Sequence, residues 1–240
     1  MTMARQAPTD ESLTLLALDA AIAAARVIMD VYSRPIAAVA KPDGSPVTEA
    51  DAAAEAVILD FLKPTGIPVL GEESVAAGII PALGERYFVV DPLDGTKEFI
   101  KRNGEFTVNI ALMARDGLPT GPLGAARPIG GVLYVPVRDI LYFAWEAGGA
   151  YRLDRAATHR AASAYERAAM ADRLPLHHER AAFTIVASRS HKSPETEAYI
   201  QLMEEEHGAI ALTSMGSALK ICLVAEGAAD AYPRYAPTME

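Results

Sequence analysis

The stretch that decides the fold runs Tyr87-Phe88-Val89-Val90-Asp91-Pro92-Leu93-Asp94-Gly95-Thr96. It begins as an apolar strand and passes directly into two acids, a proline and a glycine. Pro92 disfavours helical geometry at Asp91, because a proline ring restricts the residue before it. Gly95 permits a tight turn that lets the backbone approach a ligand closely. The stretch therefore predicts a strand whose end presents the carboxylates of Asp91 and Asp94.

A second stretch upstream has the same design and runs Val69-Leu70-Gly71-Glu72-Glu73-Ser74. If the two strand ends are neighbours, Glu72, Asp91, Asp94 and the backbone carbonyl of Leu93 form an all-oxygen set, which Mg²⁺ prefers. Asp-Pro and Asp-Gly pairs are also common in ordinary turns. The residues alone therefore leave a metal site and a structural turn both open. Their spacing excludes a Gly-x4-Gly-Lys-Ser/Thr phosphate loop and an EF-hand.

The first part of the chain predicts helices followed by a mostly antiparallel sheet. Apolar residues at three- and four-residue spacing predict a helix over 13–32 after a cap at Asp10. The Thr48-x-x-Asp51 pattern is a capping box, which predicts a second helix to about Leu62. Short apolar runs predict strands at 67–70, 87–90, 106–113, 131–135 and 140–144.

The second part of the chain alternates strands with helices, as α/β units do. We predict strands at 183–187, 209–212 and 229–232, and helices that start at Pro194 and at Ser217. Three regions follow: an α+β domain over 1–153 with the metal and catalytic residues, a connecting segment or insertion over 154–182, and an incomplete α/β substrate-binding domain over 183–240.

Composition narrows the class of ligand and the compartment. The chain has 240 residues, and its 22 Lys and Arg against 31 Asp and Glu give a net charge of −9. This charge disfavours a nucleic-acid polymer as partner, because binding to its backbone requires surplus cations. Cys222 is the only cysteine, and no signal-peptide pattern opens the chain. We therefore expect a cytoplasmic protein without a transmembrane segment, with a peripheral place on the cytoplasmic face of the inner membrane left open.

Three ordered motifs resemble the lithium-sensitive, magnesium-dependent phosphomonoesterases of the inositol monophosphatase superfamily. They are Gly71-Glu72-Glu73-Ser74, Asp91-Pro92-Leu93-Asp94-Gly95-Thr96 and Gly216-Ser217-Ala218-Leu219-Lys220. Within that superfamily, the stretch 97–112, which begins Lys97-Glu98-Phe99, is similar to the bacterial 3′(2′),5′-bisphosphate nucleotidases. The resemblance extends from about Leu13 to the last residue.

The resemblance implies a layered α-β-α-β-α fold and a role for each motif. Glu72, Asp91 and the Leu93 carbonyl would hold a first Mg²⁺, and Asp91 and Asp94 would share a second. Asp51 and Thr96 would orient and deprotonate the attacking water. The residues expected to bind substrate are Glu72, Leu93, Asp94, Gly95, Thr96, Ser188, His191, Ser217 and Lys220.

Several of these residues also have a plain structural interpretation. Asp51 is the N3 acid of the capping box, and Ser217 has the residue type of a helix cap. Lys220 is equally compatible with a solvated helix face, and His191 with a surface turn. The sequence also departs from the family at its end: the Trp-Asp motif that completes the second metal site is absent, so the C-terminal end reads as truncated.

The resemblance implies that the protein converts adenosine 3′,5′-bisphosphate, a by-product of sulfate activation, to AMP and phosphate. It implies two or three Mg²⁺ ions per site and inhibition by Li⁺. An inositol or sugar phosphate phosphatase and a non-catalytic metal- or phosphate-binding protein remain the alternatives. The oligomeric state is not predicted.

Overall fold

The fold was determined from a computed structural model that describes residues 8–41, 44, 46–115, 126–187 and 193–235. The helices are α1 (Asp10–Tyr32), α2 (Glu49–Leu62), α3 (Glu72–Ala76), α4 (Thr96–Ile100), α5 (Ala164–Ala169), α6 (Pro194–His207) and α7 (Leu219–Ala225). The strands are β1 (Ala38–Ala40), β2 (Pro46–Thr48), β3 (Val69–Gly71), β4 (Arg86–Asp94), β5 (Thr107–Arg115), β6 (Ala126–Val135), β7 (Ile140–Trp145), β8 (Gly149–Asp154), β9 (Asp172–Arg173), β10 (Thr184–Ala187) and β11 (Ala211–Ser214).

A seven-stranded sheet forms the centre of the first part, in the order β3-β4-β5-β6-β7-β8-β9. Only the β3–β4 pair is parallel, and every other neighbouring pair is antiparallel. The predicted antiparallel arrangement is therefore confirmed, with strand ends shifted by a few residues. Strands β8 and β9 were not predicted.

Helices α1 and α2 bury their apolar faces against one side of this sheet. Helix α1 begins after Thr9, whose hydroxyl accepts the amide of Ser12 at 3.1 Å. The cap is therefore Thr9 rather than Asp10, which is the first helical residue. By length and composition α1 could cross a membrane. Its apolar residues, Leu18 and Ile28 among them, are instead buried in the core, so α1 serves as a core helix.

An aromatic cluster joins α1 to the loop that follows β4. The rings of Tyr32, Phe99 and Phe106 lie 5.1–5.2 Å apart, and Phe99 and Phe106 are fully buried. Such ring pairs contribute more than their buried area alone. The cluster anchors α4, which directly follows the acidic end of β4.

Replacing Phe99 with alanine should therefore lower the free energy of unfolding by about 3–5 kcal/mol, as for other buried aromatic residues. Denaturant titration of the variant and of Ile79→Ala measures this. Ile79 is 65% exposed, so its loss should change stability by less than about 0.5 kcal/mol. Equal stability losses in the two variants would contradict the assignment of Phe99 to the core.

The second part adds a small sheet and two helices. Strands β10 and β11 pair in parallel. Helix α7 lies between the two sheets. On one side, Tyr142 of β7 donates a hydrogen bond to Glu226 at the end of α7. The chain that follows α7 then contacts β10, where the Val186 amide donates to the Ala231 carbonyl. On the other side, the Phe183 ring stacks on His207 at the end of α6, with 4.1 Å between centroids. The layered α-β-α-β-α fold implied by the sequence is thus confirmed.

Three local predictions differ from the structure. The segment 229–232 forms an isolated bridge between Ala231 and Ile185 instead of a strand. Helix α7 begins at Leu219 rather than at Ser217, because Ser217 has a left-handed φ of 51° that a helix cannot continue. Part of the segment 154–182 belongs to the first part of the molecule, since β9 extends the large sheet and α5 packs on α1. The division into two domains stays a prediction.

Candidate metal and catalytic site

The two acidic strand ends lie side by side, because β3 and β4 are adjacent and parallel. Their register pairs Gly71 with Val90. Glu72, directly after β3, and Asp91, near the end of β4, therefore lie at the same edge of the sheet, which we call the acidic edge. A bulge between Asp91 and Asp94 interrupts the pairing of β4 with β5. Bulges redirect side chains at the ends of strands. This one brings the second acid of the motif to the same edge.

Asp91 lies in a buried and negatively charged environment. Burial raises the pKa of Asp91 well above its usual value, and the negative charges of Asp94 and Glu72 and a hydrogen bond with Glu72 raise it further. The Leu93 amide, which donates to Asp91 Oδ1 at 3.1 Å, acts in the opposite direction. Like charges that share a buried space oppose ionisation. The edge is therefore a place where added positive charge would be strongly favourable.

Lys41 supplies part of that charge in the structure. Its ammonium group donates to Glu72 Oε1 at 2.6 Å and to Glu73 Oε1 at 2.7 Å. Burial alone would lower the pKa of Lys41, but the two carboxylates outweigh burial and raise it. Lys41 directly follows β1, so the end of this strand reaches the acidic edge. The sequence did not predict this contact.

The donor set fits a hard divalent cation. Glu72, Asp91, Asp94 and the Leu93 carbonyl offer only oxygen atoms, as Mg²⁺ requires. The buried Oδ1 of Asn109, a neighbour of Asp91 on β5, also has no hydrogen-bond partner among the described residues. Within the same ranges, no three His, Cys, Asp or Glu side chains yet form a group that could hold a metal ion. Glu72 faces both Lys41, from whose ammonium group it accepts a hydrogen bond, and Asp91.

Asp51 and Thr96 meet beside this edge. Asp51 is 2% exposed, and its two oxygens have different partners. Oδ2 accepts the backbone amide and the hydroxyl of Thr48, each at 2.7 Å, which completes the predicted capping box. Oδ1 accepts the hydroxyl of Thr96 at 3.2 Å. The capping and catalytic interpretations of Asp51 are therefore compatible, since each uses a separate oxygen.

The segment Gly216–Ala218 closes the other side of the site. Asp94 Oδ2 accepts the amide of Ala218 at 2.5 Å, and Glu105 Oε2 accepts the amide of Gly216 at 2.8 Å. Ser217, between these two amides, has its left-handed φ of 51°. Such a conformation costs free energy in a residue with a side chain and persists only where its surroundings enforce it. Two buried carboxylates enforce it here.

Comparison with known proteins agrees with this geometry. Residues 9–240 match the inositol monophosphatase family. The chain belongs to this family. It is 42% identical over 215 residues to the 3′(2′),5′-bisphosphate nucleotidases CysQ of Escherichia coli K12 and of Salmonella typhimurium, covering 88% of this chain and 76% of each relative.

Solved structures agree as well. The crystal structure of CysQ from Bacteroides thetaiotaomicron has a TM-score of 0.78 and 44% identity, covering 96% of this chain and 82% of that one. The suppressor protein SuhB of Bartonella henselae shares the fold at 24% identity, with a TM-score of 0.64, over 92% of this chain and 77% of that one. The resemblance to this family and to its bisphosphate nucleotidases is therefore confirmed.

The remaining residues expected to bind substrate have different outcomes. Ser188 and His191 lie outside the described residues, as does the end of the chain from 236. Gly95 has a φ of 92°, and α4 begins at Thr96 directly after it. Lys220 is not on a solvated face: it is 7% exposed, and its Nζ donates to the Ser217 carbonyl at 2.6 Å. Its ammonium group also lies 5.6 Å from the centre of the Tyr232 ring.

Two buried acids near the site, Glu55 and Glu105, were not predicted from the sequence. Glu55 is 3% exposed and accepts the amides of Glu73 and Ser74, each at 2.8 Å. A signal was present, because Glu55 follows Asp51 by four residues and therefore shares its face of α2. Glu105 was missed for a different reason: its partner, Gly216, is 111 residues away.

Proposed function

We propose that this protein is a magnesium-dependent phosphomonoesterase that releases the 3′-phosphate of adenosine 3′,5′-bisphosphate. The observation that carries the proposal is the Asp51–Thr96 hydrogen bond beside the acidic edge of Glu72, Asp91 and Asp94. It combines a candidate base with a candidate cation site. A structural turn alone would need neither.

The metal ligands are proposed from the donor set described above. Glu72, Asp91 and the Leu93 carbonyl would hold one Mg²⁺, and Asp91 and Asp94 would share another. When bound, these ions neutralise phosphate oxygens and the leaving alkoxide, and they acidify water. Inhibition by Li⁺ belongs to the same proposal, as does the number of two or three Mg²⁺ ions per site.

Thr96 and Asp51 would accept the proton of the attacking water, which would pass through the Thr96 hydroxyl to Asp51. The Thr96 hydroxyl lies 3.2 Å from both Asp51 Oδ1 and the Leu93 carbonyl oxygen. When its one hydrogen is donated to Asp51, its lone pairs can accept a hydrogen bond from water. Asp51 Oδ2 is already occupied by Thr48, which leaves Oδ1 to receive the proton. Burial raises the pKa of Asp51, and the hydrogen bonds of Thr48 and Thr96 offset part of that rise. A raised pKa makes a carboxylate a stronger base.

The substrate class rests on the relatives and on the second part of the chain. The relatives that are 42% identical are named as 3′(2′),5′-bisphosphate nucleotidases. We propose that Ser217 and Lys220 contact the nucleotide, together with Ser188 and His191, and that the amides of Gly95 and Thr96 bind phosphate. The small-molecule substrate fits the net charge of −9, because the site would neutralise phosphate with bound cations rather than with surplus basic residues.

A panel of phosphate-release assays tests this function. The substrates are adenosine 3′,5′-bisphosphate, its sulfated analogue, inositol 1-phosphate and fructose 1,6-bisphosphate, each across a Mg²⁺ titration. We expect kcat/KM for adenosine bisphosphate to exceed that for inositol 1-phosphate by about tenfold or more, or ~1.4 kcal/mol of transition-state binding. AMP should be the nucleotide product, and chelation of Mg²⁺ should remove activity.

The alternatives give different results in the same panel. Preference for inositol 1-phosphate or fructose 1,6-bisphosphate would identify an inositol or sugar phosphatase with the same metal site. Calorimetric binding of Mg²⁺ without turnover of any substrate would identify a non-catalytic binding protein.

A cytoplasmic location is proposed from the single cysteine, Cys222, which is buried in α7, and fractionation of cells tests it.

A further inference from the structure

Glu55 has an environment that its position on a helix does not explain. Its carboxylate is buried, and both of its oxygens accept hydrogen bonds from a single turn. Oε2 accepts the amide of Glu73 at 2.8 Å. Oε1 accepts the amide of Ser74 at 2.8 Å and the hydroxyl of Ser74 at 2.5 Å. The turn is the one that carries Glu72 and begins α3.

The turn is built to receive this carboxylate. Gly71 is the residue before α3 and provides no side-chain cap. A Cβ atom added to Gly71 would lie 2.6 Å from the carboxyl carbon of Glu55, so any larger residue would push the two apart. Helix starts are normally capped by their own Ser, Thr, Asp or Asn. Here the carboxylate of Glu55, on α2, caps the start of α3 instead.

A buried carboxylate is a costly way to cap a short turn. Removing its charge from water carries a desolvation penalty, which its hydrogen bonds must offset. A neutral side chain would satisfy the same amides at lower cost. The carboxylate makes better sense if its negative charge and its rigid placement serve the acidic edge next to it.

The contacts of Glu55 determine the position of the Glu72 backbone. Glu72 lies between Gly71, where the Glu55 carboxylate leaves no room for a Cβ atom, and Glu73, whose amide donates to that carboxylate. Asp51 lies four residues before Glu55 on the same face of α2 and accepts the hydroxyl of Thr96. One rigid helix face therefore places both the candidate base and the candidate metal loop.

We propose that Glu55 is a positioning residue for divalent-cation binding: by holding the turn Gly71–Ser74, it directs Glu72 toward Asp91 and so sets the Mg²⁺ affinity of the site. This proposal rests on the metal site of the proposed function. Residues that orient metal ligands typically change metal affinity by about 10–100-fold when replaced. Glu55 would act through Glu72 and would not touch the cation.

Calorimetric titration of Mg²⁺ into the substrate-free protein tests the proposal. Glu55→Gln keeps the volume but turns an amide NH₂ toward a backbone N–H. We expect its Mg²⁺ dissociation constant to rise about 10–100-fold, while kcat at saturating Mg²⁺ stays within about threefold. Ser74→Ala removes only the hydroxyl bond and should shift the constant in the same direction by a smaller factor. Asp60→Asn removes a carboxylate from the exposed face of α2 and should have no effect.

The outcomes separate the positioning role from a structural one and from the proposed function. A folded Glu55→Gln variant with wild-type Mg²⁺ affinity overturns the proposal, even if its melting temperature falls. If that variant does not fold, an unchanged affinity in Ser74→Ala overturns it instead. A wild-type protein that binds no Mg²⁺ overturns the metal site and this proposal together. Normal Mg²⁺ binding without nucleotide turnover contradicts only the substrate.

Discussion

Replacing Asp91 with asparagine is expected to lower phosphate release by more than about 10³-fold, in the range lost when electrostatic groups are removed from reacting centres. Asp91 is the acid common to both proposed cation positions, and asparagine removes its charge at almost constant volume. The variant should still fold. Burial and the charges of Asp94 and Glu72 already disfavour the ionised form of Asp91, so its neutralisation should keep or raise the melting temperature in metal-free buffer.

Mg²⁺ separates the two effects of this substitution. The wild-type melting temperature should rise with added Mg²⁺, because a ligand that binds only the folded state stabilises it. The rise should be lost in Asp91→Asn and kept in the control Asp60→Asn. More than a tenth of the wild-type rate in Asp91→Asn at saturating Mg²⁺ would show that Asp91 is not a shared ligand.

Asparagine at position 51 should lower turnover by about 10²–10⁴-fold, the range attributed to a positioned acid or base. Its amide oxygen can still accept from Thr48, so the start of α2 survives and stability should change by at most ~1–2 kcal/mol. Its NH₂ group would face Thr96 as a donor and could not receive a proton. Thr96→Ala should lose turnover to a similar degree, because it removes the hydroxyl that links Asp51 to water.

Thr48→Ala is the matched control for this prediction. It removes one hydroxyl from the capping box and leaves the contact between Asp51 Oδ1 and Thr96 in place. We expect a stability loss of about 1 kcal/mol with most of the turnover retained. If Thr48→Ala and Asp51→Asn lost turnover equally, the start of α2 rather than a proton transfer would explain the effect. Unchanged turnover in Asp51→Asn would leave Asp51 as a cap alone.

Much of the site could be predicted from the sequence because its features are local. The acids at the end of β4 are marked by Pro92 and Gly95, whose backbone preferences are intrinsic. The Thr48 capping box is a pattern over four residues, and the structure contains it as expected. Both depend on chemistry that neighbouring residues determine among themselves.

The contacts that complete the site could not be predicted in this way. Lys41 reaches Glu72 across 31 positions, and Glu105 reaches Gly216 across 111. Such pairs follow from topology, and no propensity of either residue reveals the partner. At Ser217, tertiary contacts override the local preference of the residue. Its residue type suits a helix cap, yet contacts with the first part of the chain hold it in a left-handed conformation.

The two carboxylate contacts with Gly216–Ala218 also constrain the order in which the molecule folds. Asp94 and Ala218 are separated by 124 positions, and contacts between such distant residues form slowly. On a ribosome that adds 5–20 residues per second, Ala218 follows Asp94 by roughly 10 s. During that interval the large sheet can already assemble, but Asp94 lacks the Ala218 amide. The acidic edge therefore gains this contact only after the strands of the large sheet have been synthesised, and amide hydrogen exchange at Ala218 reports when a nascent chain acquires it.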